Sequence, residues 1–290
     1  MLAPRLLALI PVLALVLVAP GAPAFAAQGP TVATLRASGA AQVSDVYVRL
    51  PQSNPSGPLQ ILVALHGMGG NGPEFGGTLA SQADANGWLI VAPTISYGDW
   101  TNPEVISRED PALIAWLSSY IETLTQRTGI PVEPKVLLFG HSRGAQLALR
   151  FTEIDPDQVA GVAAVSAGTY TLPFATDTRS GQPLDFPFGV ANLAQTDGGE
   201  SFDAPDFNTV PIWIGVGGAD NNTADVPAAW SPYIGSSRVD RARNFTSALQ
   251  TLGADVSLTV FPNTDHTLTE AMRQTGCARL AAATADDADA

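Results

Sequence analysis

Lys135-Val136-Leu137-Leu138-Phe139-Gly140-His141-Ser142-Arg143-Gly144-Ala145-Gln146-Leu147-Ala148-Leu149 is the stretch that decides the fold. The apolar run before Gly140 reads as a short buried strand. The run from Ala145 to Phe151 is rich in strong helix formers. Between them, Gly140-His141-Ser142-Arg143-Gly144 has the G-x-S-x-G form. That pattern places a serine on a sharp turn from strand to helix, with its Oγ exposed. The turn crowds the positions two before and two after the serine, and glycine at both relieves the crowding. Ser142 is the candidate nucleophile.

Outward from this turn, the chain repeats short apolar runs and helical patterns. Val43 to Leu50 alternates and reads as an edge-type strand. Leu59 to Leu65, Trp88 to Ala92, Val136 to Gly140, Gly161 to Ser166, Val210 to Val216 and Val256 to Phe261 read as further strands. Helices are expected over Pro111 to Arg127, Arg238 to Leu252 and Leu268 to Leu280. Strands alternating with helices predict an α/β fold: a mostly parallel, doubly wound sheet with helices on both faces. Residues 170–208 break the rhythm with several prolines and glycines, and read as an edge excursion or small cap that shapes a pocket. Residues 27–42 read as a loose entry segment, 43–280 as the domain, and 281–290 as a disordered acidic tail.

A serine hydroxyl needs a base within hydrogen-bond reach, and the base needs an orienting acid. The chain has three histidines. The side chain of His141 should diverge from the Ser142 hydroxyl, and His66 sits in a glycine-rich loop. His266, just after the last expected strand, is the candidate base. The acid should follow the strand between serine and base. Gly217-Gly218-Ala219-Asp220 does so, which makes Asp220 the candidate, with Asp225 as the alternative. The order Ser142, Asp220, His266 is that of the strand–turn–helix serine hydrolases.

Attack by the serine creates an oxyanion that needs two N–H donors. The backbone N–H of Arg143, heading the helix, is one candidate. The other is the N–H of Met68, in His66-Gly67-Met68-Gly69-Gly70-Asn71-Gly72. This loop lacks the Lys-Ser/Thr ending of a phosphate-gripping P-loop. Trp100 and Trp230 follow strand ends and are candidate pocket walls. No metal and no organic cofactor is required by this constellation.

Composition bounds the rest. Arg5, then an apolar run from Leu6 to Val18, then Ala24-Phe25-Ala26 reads as a removable signal peptide over residues 1–26. The run is short for a bilayer span and holds Pro11, so no stable membrane anchor is expected. The reading implies a secreted, extracellular or periplasmic protein. Cys277 is the sole cysteine, so no internal disulfide forms and cysteine-rich zinc sites are excluded. A net charge of -13 argues against nucleic acid and anionic membranes as partners. Oligomeric state is left open.

With these residues in hand, the chain resembles the α/β-hydrolase superfamily over about residues 43 to 280. Leu65-His66-Gly67-Met68-Gly69-Gly70-Asn71-Gly72 is similar to the oxyanion loop of the polyhydroxybutyrate-depolymerase and feruloyl-esterase-like group. Asp220 with Val226-Pro227 resembles that group's acid loop, lengthened here in a way that keeps Asp225 open. Arg143 and Ala145 depart from its elbow. The resemblance implies a secreted serine esterase acting on a small-molecule or polymeric ester through an acyl-enzyme. Two competitors keep the fold. One is a peptidase similar to the prolyl-oligopeptidase catalytic domain, whose propeller is missing here. The other is a non-catalytic binding protein, which would gain nothing from the triad.

Overall fold

The runs that lack a polar face, such as Leu59–Leu65 and Leu137–Phe139, must be covered on both sides, and helices on both faces of a parallel sheet do this. The computed structural model describes residues 32–36, 42–52, 57–196 and 201–286; the signal-peptide reading lies outside them. In chain order the elements are β1 (Val32–Arg36), β2 (Val43–Arg49), β3 (Leu59–Leu65), α1 (Gly72–Thr78), α2 (Ala80–Asn86), β4 (Leu89–Ile95), α3 (Pro103–Glu122) and α4 (Leu124–Thr128). They continue as β5 (Val132–His141), α5 (Arg143–Ile154), β6 (Val159–Val165), α6 (Ala204–Asn208), β7 (Ile212–Gly217), α7 (Ser231–Ile234), α8 (Arg238–Thr251), β8 (Val256–Phe261) and α9 (Glu270–Asp286).

The sheet order is β1-β2-β4-β3-β5-β6-β7-β8. Strands β3 to β8 run parallel, and β1 and β2 join antiparallel at one edge. One face packs against α3, α5 and α8 through Leu113, Leu117, Leu147, Phe151, Phe245 and Leu249. The other packs against α2 and α9 through Leu79, Ala83, Met272, Cys277 and Leu280. Burial pushes the Cys277 thiol up to about 12, so it stays protonated and serves as apolar filler. No helix among the described residues is long and apolar enough to cross a membrane.

Four expectations are corrected. The entry segment 27–42 is not all loose: it carries β1, paired along β2 from Val32/Arg49 to Arg36/Asp45. The third helix starts at Pro103 rather than Pro111, because Asn102 caps it by accepting from the Glu104 N–H at 2.9 Å. It then runs through Pro111, where an internal hydrogen bond is lost, to Glu122, and after a break at Thr123 the short α4 carries the helical run past Arg127. The acidic tail is helical as far as Asp286. Finally, residues 170–208 do not shape the cleft described below: their described part holds one isolated bridge, Thr176 to Pro183, a 3-10 turn at Leu193–Gln195 and the short helix α6, and it lines a cavity beside α8 instead.

Candidate active site

Strand β5 enters the middle of the sheet, and α5 leaves it at Arg143. Between them Ser142 has φ 54°, a left-handed backbone that L-residues avoid. The neighbours hold it there. The Ser142 N–H donates to the Val165 carbonyl at 2.8 Å, at the end of β6. A Cβ on Gly140 would lie 2.6 Å from the Ala145 backbone, and one on Gly144 would overlap the Leu65 carbonyl. Only glycine lets β5, β3 and α5 come this close, which answers the G-x-S-x-G spacing physically.

His266 Nε2 lies 2.9 Å from Ser142 Oγ. Its Nδ1 lies 2.8 Å from Asp220 Oδ2. The chain brings them together by stitching the loop after β7 to the loop after β8: Gly218 N–H donates to the Phe261 carbonyl at 2.7 Å, and Ala219 N–H to that of Thr264 at 2.8 Å. Asp220 is buried, whereas the imidazole keeps solvent access. Asp225 is exposed and bonds Asn222 instead, so the carboxylate beside His266 is Asp220.

Asp220 has a second partner. Arg238, at the head of α8, donates from Nη1 to Asp220 Oδ1 at 2.8 Å and from Nη2 to the Asp225 carbonyl at 2.6 Å. Burial alone would raise the Asp220 carboxyl. The His266 hydrogen bond and the Arg238 charge outweigh it and hold the group below the usual carboxylate range. His141 turns away from Ser142, as expected, with Nε2 3.2 Å from the His266 carbonyl. Burial and then the neighbouring His266 ring press its pKa down to about 4, so it is neutral near pH 7.

The Met68 loop is pinned at its start. The Ile95 N–H donates to His66 Nε2 at 2.9 Å, which leaves Nδ1–H to donate to the Gly67 carbonyl at 2.7 Å. Burial lowers the His66 pKa, in keeping with this neutral tautomer. Met68 itself is 44% exposed and lines both of two adjoining lobes, which share Ser142 and His266. The larger lobe, about 440 Å³, runs past Phe75, Thr78 and His141. The smaller, about 280 Å³, runs past Trp100, Gln146 and Arg238. Arg143, as the first residue of α5, has an N–H with no intrahelical acceptor. Trp100 lines the smaller lobe. Trp230 does not: it is fully buried, stacked on Phe188, with its Nε1–H bonded to the Tyr170 carbonyl. No described residue of 170–208 lines either lobe. Among the described residues no cluster of side chains is arranged to hold a metal ion.

Sequence reasoning missed what lies beneath the elbow. The Arg143 side chain is fully buried, pairing with Glu109 at 3.0 Å and with both oxygens of Asp110. Its guanidinium sits 4.8 Å from the Tyr97 ring centroid. Arg150, about two turns further along α5, shares Asp110 at 2.8 Å. The other Glu109 oxygen accepts from the Gly98 N–H at 2.7 Å, which ties the Trp100 loop to the elbow. The available signal was two adjacent acidic residues, Glu109 and Asp110, at the start of an apolar helical stripe, and two arginines seven residues apart in the helix after the elbow.

A serine on a strained strand-to-helix turn, with the sheet order above, defines the α/β-hydrolase fold. Solved structures of similar fold include poly(aspartic acid) hydrolase-1 from Sphingomonas sp. KT-1, at TM-score 0.63 and 18% identity, over 87% of this chain and 98% of that one. A putative dienelactone hydrolase from Klebsiella pneumoniae aligns at TM-score 0.56 and 17% identity, over 89% and 99%. An S-formylglutathione hydrolase from Agrobacterium tumefaciens aligns at TM-score 0.53 and 15% identity, over 90% and 94%. At these identities the likeness speaks for the fold. No protein-family model matches the chain, and no curated protein matches it in sequence.

Proposed function

We propose that this protein is an exported carboxylic-ester hydrolase. Ser142 attacks the ester carbonyl while His266 Nε2 takes its proton. Asp220 orients the imidazole and stabilises the imidazolium. The N–H groups of Met68 and Arg143 hold the oxyanion. The alcohol leaves with the proton from His266, and water releases the acyl group by the reverse route. The observation that carries this reading is the 2.9 Å contact between His266 Nε2 and Ser142 Oγ at the floor of an open cleft. Export rests on the residue 1–26 pattern alone.

Initial rates on p-nitrophenyl esters of rising acyl length, beside peptide nitroanilides, test the reaction. Turnover of esters that vanishes in Ser142→Ala supports the reading. Turnover of anilides alone replaces it with a peptidase. Failure of Ser142 to react with a fluorophosphonate removes both. N-terminal sequencing of protein recovered outside the cytoplasm tests export, with a new start near Ala27 expected.

A further inference from the structure

The smaller lobe holds a polar group that the proton relay leaves unexplained. Gln146 lies four residues after Ser142 on α5, one helical turn away and on the same side. It is 3% exposed, and it lines the lobe. Its Oε1 accepts from Thr169 Oγ1 at 2.8 Å. Thr169 is fully buried, and its hydroxyl oxygen already accepts from Arg150 Nη2 at 2.7 Å. A guanidinium can only donate, so the Thr169 hydrogen is free for Gln146, and Gln146 must present oxygen to it. This settles the orientation of the amide. Nε2 is then the outward atom. It has no hydrogen-bond partner among the described residues, yet it is not one of the sealed polar atoms. The nearby Arg238 amino groups are already engaged with Asp220 and Asp225.

We propose that Gln146 Nε2 is a specificity-determining donor, which reads an oxygen acceptor on the part of the ester that enters the smaller lobe. The proposal rests on the ester-hydrolase reading above. The lobe is about 280 Å³, below the size of common drug-sized pockets, so the group it takes is short. The cations on its lining, Arg143 and Arg238, are already paired with carboxylates and Asp225 adds a negative charge, so the acceptor is a neutral carbonyl, hydroxyl or ether oxygen. A plain alkyl group leaves the donor unpaired when it expels water, which is the condition under which a site rejects a substrate strongly.

Size-matched ester pairs test this. p-Nitrophenyl methoxyacetate against butanoate and 4-oxopentanoate against hexanoate probe the acyl side. 2-Methoxyethyl against butyl acetate probes the alcohol side. In Gln146→Met, the ratio of kcat/KM for the oxygen-bearing over the plain member should fall about tenfold for at least one pair, with the plain member within about threefold of wild type. Gln146→Glu keeps an oxygen for Thr169 and removes the outward N–H. It should give the same fall, and it preserves the test if the methionine variant does not fold. An unchanged ratio in every pair overturns the proposal, as does an equal loss on both members. No turnover of any ester by the wild type would instead sink the parent reading.

Discussion

Arg238 grips the one carboxylate oxygen of Asp220 that His266 leaves free, at 2.8 Å on each side. The acid is thus held between a fixed cation and a base whose charge changes. Around the pair stand His141 from β5, Asp265 beside His266 on its own loop, Tyr170 after β6 and Arg241 on α8. Deleting Arg238 leaves Asp220 with one of its two side-chain partners, so the carboxylate is held less firmly against His266. Arg238→Met should lower kcat on the best ester roughly tenfold with little change in KM, and Arg238→Lys should recover much of it. Equal kcat in the wild type and Arg238→Met would show that His266 alone orients Asp220.

The choice between the two aspartates has a clear readout. Asp220→Asn should lower kcat by roughly 10⁴-fold on the best ester, since the imidazole loses its orienting charge and takes the wrong tautomer. Asp225→Asn should stay within about threefold, because its carboxylate faces solvent and bonds only Asn222. Matching losses in both would mean that the acid loop rearranges when substrate binds.

The buried cluster under the elbow governs stability. Asp110 has no exposed surface and serves both Arg143 and Arg150. Asp110→Asn removes the buried carboxylate that two buried guanidiniums share and should cost roughly 3–5 kcal/mol in urea unfolding. Replacing Asp177, whose partner Arg179 is mostly exposed, should cost far less. Similar costs for both would show that the cluster is better solvated than its burial suggests.

Acid sensitivity follows from His141. Its pKa is about 4 in the fold, against about 6.5 in an unfolded chain. Between those pH values the unfolded chain binds a proton there that the folded chain does not. The contribution is therefore full above about pH 6.5 and is lost as pH falls towards 4, by roughly 3 kcal/mol in all. His141→Gln should make the stability–pH curve shallower in that window. An unchanged slope would mean that His141 charges in place.

Glu153 works in the opposite direction. Burial raises its carboxyl well above the ordinary value, against the opposing pull of Arg150 and Thr171. A raised group stabilises below its unfolded pKa and costs stability as pH rises through its folded one. Glu153→Gln should therefore gain stability at pH 8 relative to pH 5, measured by urea midpoints. A loss at both would point to an ionised Glu153 that supports Arg150.

The parallel strands and the three residues at their carboxyl ends were legible because apolar runs, glycine spacing and a count of three histidines are local signals. Trp230 was misplaced because position after a strand says nothing about which way a large ring turns, and Phe188 and Tyr170 capture it inside. Pro111 misled as a start signal because Asn102 supplies a better cap eight residues before Asp110 needs the helix. Arg238, Glu109 and Gln146 were invisible for a different reason. Each acts through partners from 18 to more than 30 positions away, or through one oriented amide, and no window of sequence reveals such pairings.

The order of the sheet also sets the timetable of the molecule's birth. The serine turn needs only β3, β5 and β6 around it, all present once the chain has passed residue 165. His266 comes after β8, the final strand, in a chain of 290 residues. A polypeptide emerging from the ribosome thus displays Ser142 more than a hundred residues before His266, and a chain stopped before β8 lacks His266 altogether.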